Sequence, residues 1–361
     1  MNICFVVTND LIYDQRMIRI ATSVTRAGYS TRLVGRKLAN SAPLSPQPFH
    51  QKRIFCFFKK GKLFYMEYNI RVFFYLLFSR TGCICAIDLD TILPCYFISK
   101  IKGIPRVYDA HELFCEMKEI VSRPRIYRLW KRVEKFAVPR FPNGYTVSRS
   151  IKDEFNTLYC VDYAIIRNIS LYQDIHIPEK KIKYVLYQGA VNEGRSFETI
   201  IPAMKFVDAP LVICGNGNFM QQAKTLVLEN GLSDKITFKG YVLPKDLREY
   251  TMDAWIGINL VDDSGFNNYY SLTNRFFDYM HAGLPQLCVD IPACREINSE
   301  FEIAILISDL SAENIARHIN ILFEDTLLYQ RLQANCILAR EVFNWQNEET
   351  KLIRFYKHLL G

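Results

Sequence analysis

Three groups of polar residues stand where apolar runs end, and each has a spacing that could do chemistry. The first is residues 271–285, Ser-Leu-Thr-Asn-Arg-Phe-Phe-Asp-Tyr-Met-His-Ala-Gly-Leu-Pro. Ser271 to Asn274 have the residue types that cap a helix, and the amides of a first helical turn attract a phosphate. Asp278 lies one turn beyond Asn274, where a carboxylate could accept hydrogen bonds from ribose hydroxyls. A capped helix with a surface acid is the plainer alternative. The second group is Gly215-Asn216-Gly217, which follows Leu-Val-Ile-Cys and precedes a helix. Small residues there let the backbone approach an anion, and a plain tight turn explains them equally well. The third is Asp88-Leu89-Asp90, and a separate apolar run ends in Asp109-Ala110-His111-Glu112. Two aspartates one residue apart can ligate a divalent ion, although Asp90 also suits a helix cap before Thr91. His111 reads either as a site histidine or as a satisfied residue at a strand end. There is no full Gly-x-Gly-x-x-Gly and no Gly-Lys-Ser/Thr, which argues against dehydrogenase and P-loop chemistry.

These residues need elements that bring them together. Residues 3–8 form an apolar run of strand length. Residues 14–27 place Met17, Ile18, Ile20, Ala21 and Val24 at helical spacing, and residues 31–34 are strand-like again. Strands are further expected at 54–58, 83–87, 106–109 and 144–147, with helices at 63–79, 91–102 and 126–138. The second half repeats the alternation. Its strands are expected at 184–188, 211–214, 236–238, 254–260 and 285–289, and its helices at 197–205, 220–230 and 274–282. Alternating strands and helices in both halves predict two doubly wound parallel α/β domains. Such domains bind ligands at the carboxyl ends of their strands, where the three groups stand. The periodicity stops between Asn168 and Pro178, which marks the domain boundary.

Composition narrows the class. The chain has 361 residues, half of them hydrophobic and 23% charged, which is ordinary for a folded globular protein. The first residues lack the basic start and long apolar run of a secretory signal, and residues 72–78 are far shorter than the ~20 a spanning helix needs. The 11 cysteines are scattered in apolar stretches without a Cys-x-x-Cys, which reads as buried thiols in a reducing cytoplasm and makes zinc unexpected. Residues 1–170 hold 27 Lys+Arg against 13 Asp+Glu, and the remainder 18 against 24, so a basic half and an acidic half make up the net +8. A basic half attracts anionic lipid or phosphorylated substrate. Within it, residues 55–65 and 123–132 interleave cations with aromatics, as an anionic membrane surface requires. Core aromatics with snorkelling cations are the alternative. No nucleic-acid readout motif is present, so no nucleic acid is expected as a partner.

The stretch 271–285 resembles the signature of glycosyltransferase family 4, in a bacterial glycan-biosynthesis subgroup with the GT-B fold. The resemblance extends in order along nearly the whole chain. It includes residues 8–16, Thr-Asn-Asp-Leu-Ile-Tyr-Asp-Gln-Arg; residues 88–91; Tyr108-Asp-Ala-His-Glu112; Tyr187-Gln-Gly-Ala-Val-Asn-Glu-Gly-Arg195; Gly215-x-Gly217; and Phe238-x-Gly-Tyr-Val242. It implies two Rossmann-like domains facing across a cleft: an acceptor-side domain at 1–168, a nucleotide-sugar domain at 169–345, and a terminal helix at 346–361 that crosses back to the first.

The resemblance also implies roles. Arg195 would grip the donor pyrophosphate, a task suited to an always-charged fork. Gly189, Gly215, Gly217, Leu272, Thr273 and Asn274 would surround the donor, with Asn274 and nearby amides on the phosphates. Asp278 would bind the ribose, Tyr241 and Val242 would flank the base, and His111 would lie by the transferred sugar. Asn9, Asp10, Arg16, Asp88 and Asp109 would form the acceptor side. Two departures stand out: Tyr270 occupies the place of the first of two family glutamates, and Ala190 replaces a phosphate-binding cation, which leaves Arg195 alone.

The function implied is transfer of a sugar from a nucleotide-sugar to a glycan or lipid-linked acceptor. It would proceed with retention, without a required metal or cofactor, at the cytoplasmic face of a membrane during bacterial surface-polysaccharide synthesis. A nucleotide-sugar epimerase on the same fold and a catalytically weak binding subunit are the alternatives.

Overall fold

The computed structural model describes every residue except Tyr13, 175–182, Asp263, Ser264 and Ser271. The chain divides into two compact units, residues 1–168 with 348–361, and residues 169–347. Part of the boundary region expected between Asn168 and Pro178 lies outside the described residues.

The first unit is built on a seven-stranded sheet with all its pairings parallel. Its strands are β1 (Asn2–Val6), β2 (Ser30–Lys37), β3 (His50–Phe55), β4 (Cys83–Ile87), β5 (Arg106–Ala110), β6 (Gly144–Thr146) and β7 (Ala164–Ile165). Their spatial order is β3-β2-β1-β4-β5-β6-β7, with Phe5 opposite both Leu33 and Cys85. Helices cover both faces of a parallel sheet, so its central strands are apolar throughout. Every residue of β4 is buried. The helix Gln15–Arg26 starts where the Asp14 carboxylate accepts from the Met17 amide, and it buries Met17, Ile20, Ala21 and Val24 against the sheet. The C-terminal segment belongs to this core: Tyr356 packs edge-on against Phe5 and Tyr145, with ring centroids 6.1 and 6.4 Å apart.

One strand departs from expectation. The pattern predicts a strand at 54–58, but β3 ends at Phe55. Phe57 and Phe58 are exposed, and their amides donate to the Glu67 carboxylate at 3.0 and 2.9 Å instead of to a neighbouring strand.

The second unit has a six-stranded sheet, again with parallel pairings. Its strands are β8 (Val185–Gln188), β9 (Leu211–Cys214), β10 (Ile236–Gly240), β11 (Ile256–Asn259), β12 (Gln286–Val289) and β13 (Ala304–Ile307). They are ordered β10-β9-β8-β11-β12-β13. The chain reverses its direction of winding between β1 and β4 in the first sheet, and between β8 and β11 in the second. Ligands of such sheets sit outside the strand carboxyl ends at these switch points.

Candidate functional site

In the second unit the loops after β8, β9 and β10 are tied together by their backbones. The Gly189 amide donates to Cys214 O at 2.9 Å, and the Gly215 amide to Gly240 O at 2.7 Å. A Cβ on Gly215 would fall 1.8 Å from Gly189 O, and one on Gly217 would fall 2.1 Å from Val191 O. Both glycines are thus required by the chain's own loop packing, which is compatible with either reading above. Across the same loops the Asn218 amide donates to Asn192 Oδ1 at 3.0 Å, and the Glu193 amide donates to Asn218 Oδ1 at 3.1 Å. The result is a rigid floor at the strand ends, with the half-buried Arg195 on its β8 loop. Ser196 follows in a left-handed backbone (φ 56°), an uncommon conformation for a residue with a side chain.

The helix Asn274–His281 enters this floor. Its stripe Phe276, Phe277, Tyr279 and Met280 is buried, which fixes where Asp278 points. Ser170 Oγ donates to Asp278 Oδ1 at 2.8 Å, and Gln188 Nε2 donates to Oδ2 at 3.1 Å. Gln188 is itself locked: Thr251 Oγ1 donates to its Oε1 at 2.7 Å, and its amide donates to Tyr279 Oη at 3.1 Å. These two bonds aim the Asp278 carboxylate. The sequence pattern misses Ser170, Gln188 and Thr251. Only Gln188 carries a signal, as an amide ending an otherwise apolar strand.

The expected cap needs correction. Thr273 occupies the N-cap position but makes no side-chain cap bond. Its hydroxyl donates to Asn259 Oδ1 at 2.7 Å, at the end of β11. Ser271, the other capping candidate, lies outside the described residues. Asn274 is exposed and Leu272 half-buried. Tyr270 ends the short helix Phe266–Tyr270, and its ring meets Tyr269 at 5.2 Å. Tyr241 and Val242 line an open groove of about 500 Å³ with Lys239, Asp246, Glu249 and Tyr250. Arg275, also missed from sequence, lies under the β8 loop with its guanidinium 4.3 Å from the centre of the Tyr187 ring.

In the first unit most of the expected acceptor-side residues are engaged with partners inside that unit. Arg16 and Asp109 form a buried ion pair at 2.8 Å, between the first helix and β5. Asp10 pairs with Arg53 at 2.7 Å, and Asn9 donates to Asp14 at 3.1 Å. Asp90 does not cap the helix Ile92–Lys102. It lies in the turn Leu89–Thr91 and accepts from Thr8 Oγ1 at 2.6 Å. Burial pushes its carboxyl up to about 7, against the lowering effect of the Thr8 bond.

Asp88, His111 and Glu112 are different. Each offers one ligand atom, and these atoms lie within 4.8 Å of one another. His111 Nδ1 and Asp88 Oδ1 are 3.2 Å apart, yet both are buried without an aligned hydrogen bond. Burial first, and then the charge of Glu112, holds the Asp88 carboxyl well above the usual carboxylate range. Asp88 also has a left-handed backbone (φ 57°).

Residues 170–337 match the family model described as Glycosyl transferases group 1. No curated protein matches the chain. Among solved structures, a sucrose-phosphate synthase from Thermosynechococcus elongatus superposes with a TM-score of 0.82 at 15% identity, covering 99% of each chain. The Anabaena protein HepE, solved with UDP-glucose, gives 0.76 at 12% identity, covering 99% of this chain and all of its own. WaaG, a glycosyltransferase involved in lipopolysaccharide biosynthesis, gives 0.71 at 14% over the same shares. Likeness at such identities speaks for the fold: two parallel-sheet α/β units of the GT-B glycosyltransferase kind.

Proposed function

We propose that the chain is a GT-B glycosyltransferase of family 4 that moves a sugar from a nucleotide-sugar to a glycan or lipid-linked acceptor. In this reading transfer retains anomeric configuration, needs no metal or cofactor, and serves bacterial surface-polysaccharide synthesis. The observation that carries it is the second unit's floor, where Asp278 is aimed by Ser170 and Gln188 beside the Arg195-bearing loop. Asp278 accepts from the ribose hydroxyls. Tyr241 and Val242 flank the base. Arg195 and the first turn of the helix Asn274–His281 supply fixed positive charge to the departing diphosphate, where negative charge develops. His111, beside Asp88, steadies the transferred sugar. HepE's complex makes UDP-glucose the first donor to try.

The lipid-linked form of the acceptor has its own support. The helix Gly61–Phe78 buries Phe64, Tyr68, Val72 and Leu76, yet leaves Leu63, Met66, Ile70, Phe74 and Phe78 exposed along its opposite side. Tyr65 meets Trp130 of the cation-rich helix Pro124–Ala137, with ring centroids 5.5 Å apart. An apolar stripe beside many cations fits a peripheral position on an anionic bilayer. No helix among the described residues is long and apolar enough to cross a membrane.

The test is a transfer assay with labelled nucleotide-sugars and a panel of glycan and lipid-linked acceptors, with product anomers read by NMR and a parallel arm in EDTA. Transfer with retention, unchanged by EDTA, is expected. Conversion of the donor without acceptor would instead indicate an epimerase, and binding without turnover a binding subunit. Inhibition by EDTA would place a metal requirement on the chain, with Asp88, His111 and Glu112 the first residues to examine. Flotation with anionic and neutral liposomes tests the membrane part, which fails if binding is absent or equal in both.

A further inference from the structure

Arg275 is a buried cation that the roles assigned so far leave unused. It is the second residue of the helix Asn274–His281 and only 7% exposed. Its Nη1 is buried and makes no hydrogen bond, and the contact it does make is with the Tyr187 ring face. A guanidinium taken out of water without a counter-charge is unfavourable, and an aromatic face offsets only part of that. Such a residue is matched to an anion.

The structure shows where the anion would lie. Gly189 and Ala190, in the loop directly after β8, are exposed. Gly189 has a left-handed backbone (φ +119°), and the point a Cβ would occupy is 3.8 Å from Arg275 Cζ. The missing side chain leaves a gap between the guanidinium and whatever passes over this loop. The first turn of Arg275's own helix adds positive potential at the same place.

We propose that Arg275 is the second cation of the donor site, gripping the diphosphate through the gap at Gly189. This rests on reading the second unit as the nucleotide-sugar site. The cation absent at Ala190 is thus supplied from the helix instead of from the β8 loop, and the diphosphate is held from two sides, by Arg195 and by Arg275. A fork suits two phosphate oxygens better than a point charge does.

The experiment compares the full-length wild type with Arg275→Met and Arg275→Lys. Thermal unfolding is measured without ligand, with a panel of nucleoside diphosphates, and with the matching nucleoside monophosphates. For the wild type, one diphosphate is expected to raise the melting temperature. In Arg275→Met, affinity for that diphosphate falls at least tenfold, affinity for the monophosphate changes much less, and the ligand-free melting temperature is unchanged or higher, because an uncompensated buried charge has gone. A purely structural arginine gives the reverse, with lower ligand-free stability and unaltered diphosphate affinity in the folded fraction. That result, or equal diphosphate affinity in both proteins, overturns the inference alone. A wild type insensitive to every nucleoside diphosphate overturns the donor-site reading along with it. Should Arg275→Met fail to fold, Arg275→Lys decides: weakened diphosphate binding supports the forked contact, and wild-type binding overturns it.

Discussion

At the carboxyl ends of the first sheet, charges are largely neutralised by one another, whereas at those of the second sheet a cation is left over. Arg16 pairs with Asp109 and Asp10 with Arg53, while Asp90 takes the Thr8 hydroxyl. In the second unit Arg275 has no hydrogen bond on its buried Nη1, and Asp278 is aimed by neutral groups, a serine and an amide. Neutral partners such as these orient a carboxylate without adding a counter-charge of their own. The first unit's charges therefore belong mainly to stability, and the second unit's are the ones on which the proposed binding rests. Asp88, His111 and Glu112 are the exception within the first unit.

This contrast is open to mutation. The largest effect is expected at Arg16. Removing it leaves Asp109 buried and unpaired, at a loss of about 3–5 kcal/mol. Chemical denaturation of Arg16→Ala measures this, and Arg16→Met combined with Asp109→Leu should recover most of it. If Arg16→Ala is as stable as the wild type, the pair is not the first unit's internal tie.

Asp90 gives the next effect, read through pH. Its carboxyl is raised from 3.8 to about 7, so the folded chain keeps a proton that the unfolded chain releases. Stability from this group is present at low pH, is lost as pH rises from about 4 to about 7, and is level above that. The loss is at most about 4 kcal/mol. Denaturation midpoints of the wild type and Asp90→Asn, compared at pH 4.5 and 7.5, should show a smaller decline in the variant. Equal slopes would remove Asp90 from the account.

The smallest effect on stability, and the sharpest on binding, is expected at Asp278. Asp278→Ala should weaken nucleotide-sugar affinity by roughly 10–100-fold, the worth of hydrogen bonds to a charged group, with little change in the ligand-free melting temperature. Isothermal titration checks the first and a thermal ramp the second. A variant that unfolds early yet binds normally would place Asp278 with the first unit's structural charges.

Much of this was legible in the sequence, for reasons particular residues show. The central strands were found because parallel strands buried on both faces are short continuous apolar runs, as at Cys83–Ile87 and Leu211–Cys214. Several helices were not anticipated, among them Arg149–Tyr159, Pro244–Asp253 and Ala312–Glu324. The second of these buries only Thr251, so its apolar period is faint. The strand at 54–58 was misplaced because aromatic residues there leave the sheet for the surface. At the site, pattern picks out residue types but not partners. Nothing local says that Thr273 reaches Asn259 instead of capping its helix, or that Gly215 is glycine because Gly189 lies against it. Arg275 stood inside the quoted signature, and only the fold shows it to be buried beside Gly189.

The most direct test of the central claim, that the second unit holds a nucleotide-sugar, is a thermal-shift panel of UDP-, GDP-, ADP- and CMP-sugars on the wild type and Arg195→Ala. Ligands that bind only the folded state raise its melting temperature by mass action. The account predicts a clear shift with one base, lost in Arg195→Ala. A shift of the same size in both proteins, or none with any base, would contradict it.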